Sequence, residues 1–362
     1  MTLRWSPRCE LATSRRQALL LSSLVALRPP PAAAAPPPTS LLIGGTRVAS
    51  VGAGTWAWGN TQVWSYDTSQ DAGLRDTYNA LLAGSELPLL FDSADSYGED
   101  GRAETLLGEF GSPAPARGRA FLATKLAPFP SRLTAASFVE AARASAHRLQ
   151  VARLDVVQAH WCVERYAPWQ LAAVEEGLAA VVDAGLAVSV GLSNYGPKGL
   201  RRVHAALARR GIPLSLCQAQ YSLLSRQAAT SGLLETCSEL GITPLAYSPL
   251  CLGVLSGKYS ADGPLPKGAR GLLLRGLLRD AAPLLALMRE VGAAQGCSPA
   301  QVAVLWCKAK GTLPIPGVRS VAQAQDALRC LTLQLSDVEV AALDAAAARC
   351  PSSATQNPFQ GA

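Results

Sequence analysis

Residues 120–160 read AFLATKLAPFPSRLTAASFVEAARASAHRLQVARLDVVQAH. A short apolar run carrying Lys125 at its end leads through a loop into FVEAARASAHRLQ, which has helical spacing, and a second apolar run then closes on His160. Both runs are continuous rather than alternating, the pattern of parallel strands buried on two faces. Strand, helix and strand in that order make a βα unit followed by the start of the next.

Outward from this stretch the same rhythm recurs at intervals of about 30 residues. The strands expected are 48–56 (VASVGAGTW), 87–94 (LPLLFDSA), 120–126, 154–160, 188–194 (VSVGLSN), 214–221 (LSLCQAQY), 242–249 (ITPLAYSP) and 312–317 (TLPIPG). Helical segments such as LAAVEEGLAAVVDAG and LETCSELG lie between them, with Gly185 and Gly241 as C-caps. LLIGGTRV, turning at Gly44 and Gly45, reads as a short hairpin or plug ahead of the first barrel strand. Eight βα units predict an α/β chain folded as a (β/α)8 TIM barrel. A doubly wound sheet is the competing fold, but it would place a glycine-rich phosphate loop at a helix start after its first strand, and VGAGTWAWG opens no helix. No linker or composition break divides the body, so one domain is expected over residues 41–350, preceded by a processing segment over 1–40 and followed by a tail over 351–362.

The chain has 362 residues, 49% of them apolar and 16% charged, enough for a large core. Its net charge of +7 is concentrated at the start, where Arg4, Arg8, Arg15, Arg16 and Arg28 face only Glu10. The body is close to neutral and has no basic stripe with interleaved aromatics, which argues against a nucleic-acid partner. Nine cysteines are scattered singly, without a CxxC pair or a zinc-type Cys/His spacing, so no metal site is expected. SRRQALLLSSLVAL (14–27) pairs two arginines with an apolar run too short to span a bilayer, and RPPPAAAAPPP follows. It reads as a processing signal and not as a stable membrane insertion. It resembles a twin-arginine signal, and a chloroplast location, stroma or thylakoid lumen, is expected, with bacterial periplasm or cytoplasm as the alternative. A mature chain beginning between Ala35 and Ser40 is expected, and N-terminal sequencing of the native protein would read it. Nothing in the sequence sets the oligomeric state.

In a (β/α)8 barrel the active site is assembled at the C-terminal ends of the strands. Asp92 ends the second expected strand, Tyr97 follows it in DSADSYGE, Lys125 ends the third and His160 the fourth. Singly, Asp92 reads as a turn residue, Tyr97 as a loop aromatic and His160 as a satisfied core histidine. Four ionisable groups at successive strand ends are not explained that way.

The motifs FDSADSYG, FLATK, LDVVQAHW, VGLSNYG, AYSPLCLGVLSGKY and IPGVRS resemble those of the aldo-keto reductase family in order and spacing, over residues 41 to 345. The GVLSGKY loop is most similar to its plant plastid and potassium-channel-β-like branches. The resemblance implies a catalytic tetrad of Asp92, Tyr97, Lys125 and His160, with NADPH (NADP+) as cofactor and a small-molecule carbonyl compound as substrate. It implies Tyr97 as proton donor, Lys125 as the charge that lowers the phenol's pKa, Asp92 as the group that aims Lys125, and His160 as the group that polarises the carbonyl. An ammonium about 4 Å from the phenol oxygen at an effective dielectric of 20 favours the phenolate by up to ~4 kcal/mol before desolvation is subtracted. For the cofactor it implies Thr55 and Trp56, with Ser193, Asn194 and Gln218 at the nicotinamide carboxamide and Tyr247 stacked on the ring. Ser248, Leu250, Gly253 and Lys258 fall in the pyrophosphate segment; Arg319 and Ser320 at the 2′-phosphate, and Gln323 and Asp326 at the adenine, complete the set. Ala327 replaces an asparagine frequent in the family.

Trp56, Trp58 and Trp161 lie at or just past strand ends and point to an apolar or aromatic substrate. Phe359 in the tail is a further candidate pocket residue. A second reading is an NADPH-binding regulatory or redox-sensing subunit with slow turnover. Retention of all four ionisable groups favours an enzyme.

Overall fold

Along four strands of the body, every second side chain is apolar at the start and polar at the end. Leu90 precedes Asp92, Phe121 and Ala123 precede Lys125, Val156 precedes Gln158 and His160, and Leu216 precedes Gln218. Residues two apart share a face of a strand, so each of these series lies on one face. In the computed structural model, which describes residues 40–112, 118–265 and 269–351, that face is the inside of a barrel.

Eight parallel strands run side by side: β3 (Ala53–Gly54), β4 (Leu89–Asp92), β5 (Ala120–Leu126), β6 (Leu154–Ala159), β7 (Ala187–Ser193), β8 (Leu214–Gln220), β9 (Thr243–Tyr247) and β10 (Leu313–Ile315). The ring closes between the last and the first. Gly54 bridges to Gly317, Gly52 N–H donates to Pro314 O (3.0 Å) and Gly54 N–H to Pro316 O (2.9 Å). The fold is the (β/α)8 barrel.

The barrel interior is a cluster of buried residues from β4, β5, β6, β8, β9 and β10, among them Leu90, Phe121, Val156, Leu216, Leu245 and Ile315. Ile43 and Val48 join it from a hairpin, β1 (Ser40–Ile43) and β2 (Thr46–Ala49), which turns through Gly44 and Gly45 and plugs the barrel at the N-terminal ends of the strands. A larger apolar layer lies between the strands and the surrounding helices. Those helices carry their own start and stop signals. The helix Ala135–Arg148 opens at a capping box formed by Thr134 and Ser137, and Gly241 (φ 67°) ends the helix Leu233–Leu240 in the left-handed conformation that glycine adopts readily.

One expected strand is divided. Of residues 48–56, Val48 and Ala49 belong to the hairpin and only Ala53–Gly54 joins the barrel. At the break, a Cβ at Gly52 would stand 2.8 Å from Leu90 O, so the backbone passes closer to β4 at that position than a side chain allows. The processing segment lies outside the described residues apart from Ser40, which opens β1, and so do Phe359 and the tail beyond Pro351. Among the described residues no helix is long and apolar enough to cross a membrane.

Candidate active site

The strand ends bring Asp92, Tyr97, Lys125 and His160 to one cavity of about 570 Å³, which all four line. Lys125 Nζ donates to Asp92 Oδ2 (2.5 Å) and to Ser93 O (2.7 Å), with the lysine only 1% exposed. The other carboxylate oxygen, Oδ1, accepts from Gln218 Nε2 (2.7 Å) and Gln158 Nε2 (3.1 Å). Every oxygen of the buried carboxylate is therefore engaged, as burial of a charge requires.

Tyr97 lies with its ring 4.7 Å from Lys125 Nζ and meets the His160 imidazole edge-on at 5.6 Å. Its pKa is raised well above the usual 10.0, by burial first and by the Asp92 charge second. This reverses the expectation that Lys125 would lower it. The ammonium stays charged but its field is offset by Asp92, and it lies against the ring, so in the resting site desolvation of the phenolate outweighs it. Burial also lowers the Lys125 pKa, opposed by Asp92. His160 is held well below its usual 6.5 by burial and by the nearby Lys125 charge, so its ring is neutral at pH 7.

The second group of expected residues sits farther along the same cavity. Trp56, Ser193, Asn194, Gln218, Tyr247, Ser248, Leu250, Gly253, Lys258, Arg319 and Gln323 all line it. Tyr247 Oη donates to Asn194 Oδ1 (2.9 Å), and Asn194 Nδ2 donates to His160 O (3.1 Å), tying the ends of β6, β7 and β9 together. Asn194 (φ 65°), Ser248 (φ 52°) and Leu252 (φ 54°) are non-glycine residues in the left-handed region, and Gly253 has φ 101°. Strained backbone of this kind concentrates at ligand clamps. At the far end Ser320 caps the helix Val321–Arg329, and the Arg319 guanidinium packs over Trp64 while donating to Trp64 O (3.2 Å).

Three expected cofactor residues do not line the cavity. Thr55 is fully buried and donates Oγ1 to Asp92 O (3.0 Å). Ser320 Oγ accepts from Gln323 N–H (3.3 Å), and Asp326 is exposed and faces Gln301. Trp58 is also placed differently from its sequence reading. It is fully buried and donates Nε1 to Val318 O (2.7 Å), a core residue behind the cavity wall.

Sequence reasoning missed Gln158, Ser96, Trp64 and Leu252. Gln158 carries the signal that identifies Gln218, a polar side chain inside an apolar strand. Ser96 and Trp64 carry none, because the fold alone places them at the cavity. Among the described residues no group of His, Cys, Asp and Glu side chains could hold a metal ion.

The model of the Aldo/keto reductase family matches residues 50–348. The chain is 42% identical over 325 residues to a protein of Arabidopsis thaliana named pyridoxal reductase, chloroplastic, covering 88% of each. It is 30% identical over 210 residues to the L-glyceraldehyde 3-phosphate reductase of Escherichia coli K12, covering 55% of this chain and 60% of that one. Among solved structures, it is similar in fold to an aldo/keto reductase from Klebsiella pneumoniae in complex with NADP and acetate, at 23% identity and a TM-score of 0.67, covering 90% of this chain and 99% of that one. A glycerol dehydrogenase from Gluconobacter oxydans gives a TM-score of 0.71 at 23% identity, with coverage of 90% and 99%.

Proposed function

The chain belongs to the aldo/keto reductase family of oxidoreductases, and from that premise we propose that it reduces an aldehyde or ketone to an alcohol with NADPH, Tyr97 supplying the proton. The observation that carries this reading is the buried Lys125–Asp92 pair packed against the Tyr97 ring beside a neutral His160, all on one cavity wall.

The groove beyond that wall fits a dinucleotide phosphate. Gly253 has no side chain to keep a phosphate off the backbone, and a capped helix N-terminus with Arg319 beside it favours negative charge. Arg319 and the N-terminus of the helix Val321–Arg329 would hold a 2′-phosphate, Tyr247 would face the nicotinamide ring, and Ser193, Asn194 and Gln218 its carboxamide. When bound, the cofactor supplies a hydride to the carbonyl carbon. The phenol of Tyr97 gives its proton to the carbonyl oxygen as negative charge develops there. Its raised pKa keeps that proton in place until then. Lys125 holds positive charge against the phenolate left behind, and Asp92 keeps the ammonium aimed.

A flat aromatic aldehyde such as pyridoxal is the substrate class proposed. Trp56 and Trp161 line the cavity beside Tyr97 and His160, and the Arabidopsis relative is named for pyridoxal reduction. A plastid compartment is proposed on that relative's name together with the twin-arginine segment, and the body over 41–350 is proposed as a single domain. Tyr97→Phe is the direct test. NADPH affinity should be unchanged while kcat toward pyridoxal and other aldehydes falls by about 10²–10⁴-fold. Turnover within a few fold of the parent would overturn the assignment of Tyr97, and a parent enzyme that binds NADPH without reducing any aldehyde or ketone would favour a regulatory subunit.

A further inference from the structure

The His160 imidazole is stacked on Trp161, with centroids 4.4 Å apart and planes inclined by 16°, and Tyr97 meets it edge-on. The backbone at His160 is held from two sides, its N–H donating to Leu126 O (3.1 Å) and its carbonyl accepting from Asn194 Nδ2 (3.1 Å). These contacts fix the plane of the ring but not its sense. A half-turn about the Cβ–Cγ bond exchanges each ring nitrogen with a carbon and leaves the stacking almost unchanged. A neutral imidazole also has two tautomers, and only one of them presents an N–H at a given nitrogen.

One polar contact separates the two ring orientations, and its polarity goes with the tautomer. Ser96 Oγ lies 3.3 Å from His160 Nδ1, on the cavity wall beside Tyr97. We infer that Ser96 is a positioning residue for His160, its hydroxyl donating to Nδ1 and so holding the ring in the orientation and tautomer in which Nε2 carries the proton. The reverse polarity, with Nδ1–H donating to Ser96, would leave Nε2 a bare acceptor. Such a ring could not donate to the oxygen of a carbonyl substrate. The inference rests on the carbonyl-reductase reading for its consequence, since it is a carbonyl oxygen that needs the Nε2–H donor. The choice of tautomer rests on that reading, whereas its readout by NMR needs no turnover. Ser96 acts through His160 and takes no proton in the reaction.

The test is long-range ¹⁵N–¹H correlation NMR of the full chain with ¹⁵N-labelled histidine. The chain has three histidines, and the His160 signals are those lost in His160→Gln. The parent should show the Nε2–H pattern across neutral pH, Ser96→Thr should retain it, and Ser96→Ala should show a mixture of tautomers. In parallel, Ser96→Ala should lower kcat about tenfold, the effect of one hydrogen bond, with NADPH affinity unchanged, and Ser96→Thr should restore most of it. An Nδ1–H pattern in the parent, or an unaltered Nε2–H pattern in Ser96→Ala, would overturn the role of Ser96. A parent protein with the Nε2–H pattern that reduces no carbonyl compound would overturn the reductase reading instead.

Discussion

Lys125 sits 1% exposed beneath Tyr97, and Asp92, His160 and Gln158 around it are almost as deeply buried. Residue type alone gives the chemistry these groups can do, and it identifies the four ionisable ones. It does not give their protonation, because that depends on how much water each has lost. Sequence and resemblance therefore assign Tyr97 a lowered pKa from its lysine neighbour, whereas burial raises it. For His160 burial and Lys125 act in the same direction. The sign of the stability effect follows. The unfolded chain takes up a proton on this histidine near pH 6.5 and the folded chain does not, so stability falls as pH drops below 6.5. At one pH unit below that value the loss is about 1.4 kcal/mol. Urea unfolding at pH 7.5 and 5.5 should show the parent losing about that much more than His160→Gln. Equal losses in the two proteins would mean that the folded ring is free to protonate.

At the scale of the strand, two patterns coexist in the sequence. Continuous apolar runs identify the strands, while the every-second-residue series Val156, Gln158, His160 separates the interior face from the outer one. By that alternation Gln158 belongs with Gln218 on sequence alone. The space those two amides occupy is a matter of packing between strands, which no single strand's pattern carries. Gly191 on β7 faces them, and a Cβ there would lie 2.8 Å from Gln158 Cγ and 3.0 Å from Leu216 Cβ. The glycine makes room for the amide pair that holds Asp92 Oδ1. Gly191→Ala should therefore destabilise the fold by about 1–3 kcal/mol and lower kcat, because Gln158 is pushed off the carboxylate, while NADPH affinity is kept. Gly73→Ala, in a helix and with nothing within 4 Å of its new Cβ, is the matched control and should be neutral or slightly stabilising. Unfolding curves and steady-state kinetics on both variants check this, and parental kcat in Gly191→Ala would count against the amide pair.

For the molecule as a whole, the barrel has one thin seam, and the cofactor groove proposed here crosses it. β6 and β7 pair at five positions, whereas β3 pairs with β4 at two and the closure onto the β10 segment rests on the Gly54–Gly317 bridge and the hydrogen bonds from Gly52 and Gly54. The sequence shows why in LPIPG. Pro314 and Pro316 accept from Gly52 and Gly54 but have no N–H to return, so hydrogen bonds across the closure run one way. Gly54, Gly317 and Arg319 line the cavity at this seam, and Arg319 reaches Trp64 across 255 residues of chain. A ligand that touches both sides stabilises the closed ring by mass action, about 2.7 kcal/mol at a hundredfold excess over its dissociation constant. Amide hydrogen exchange should accordingly be fastest, among the barrel strands, at Gly52 and Gly54, and saturating NADPH should slow it there more than at the β6–β7 amides. Uniform slowing across all strands would place the stabilisation in the fold at large and not at the seam. No change at Gly54 with NADPH bound would show that the cofactor does not lie across the closure.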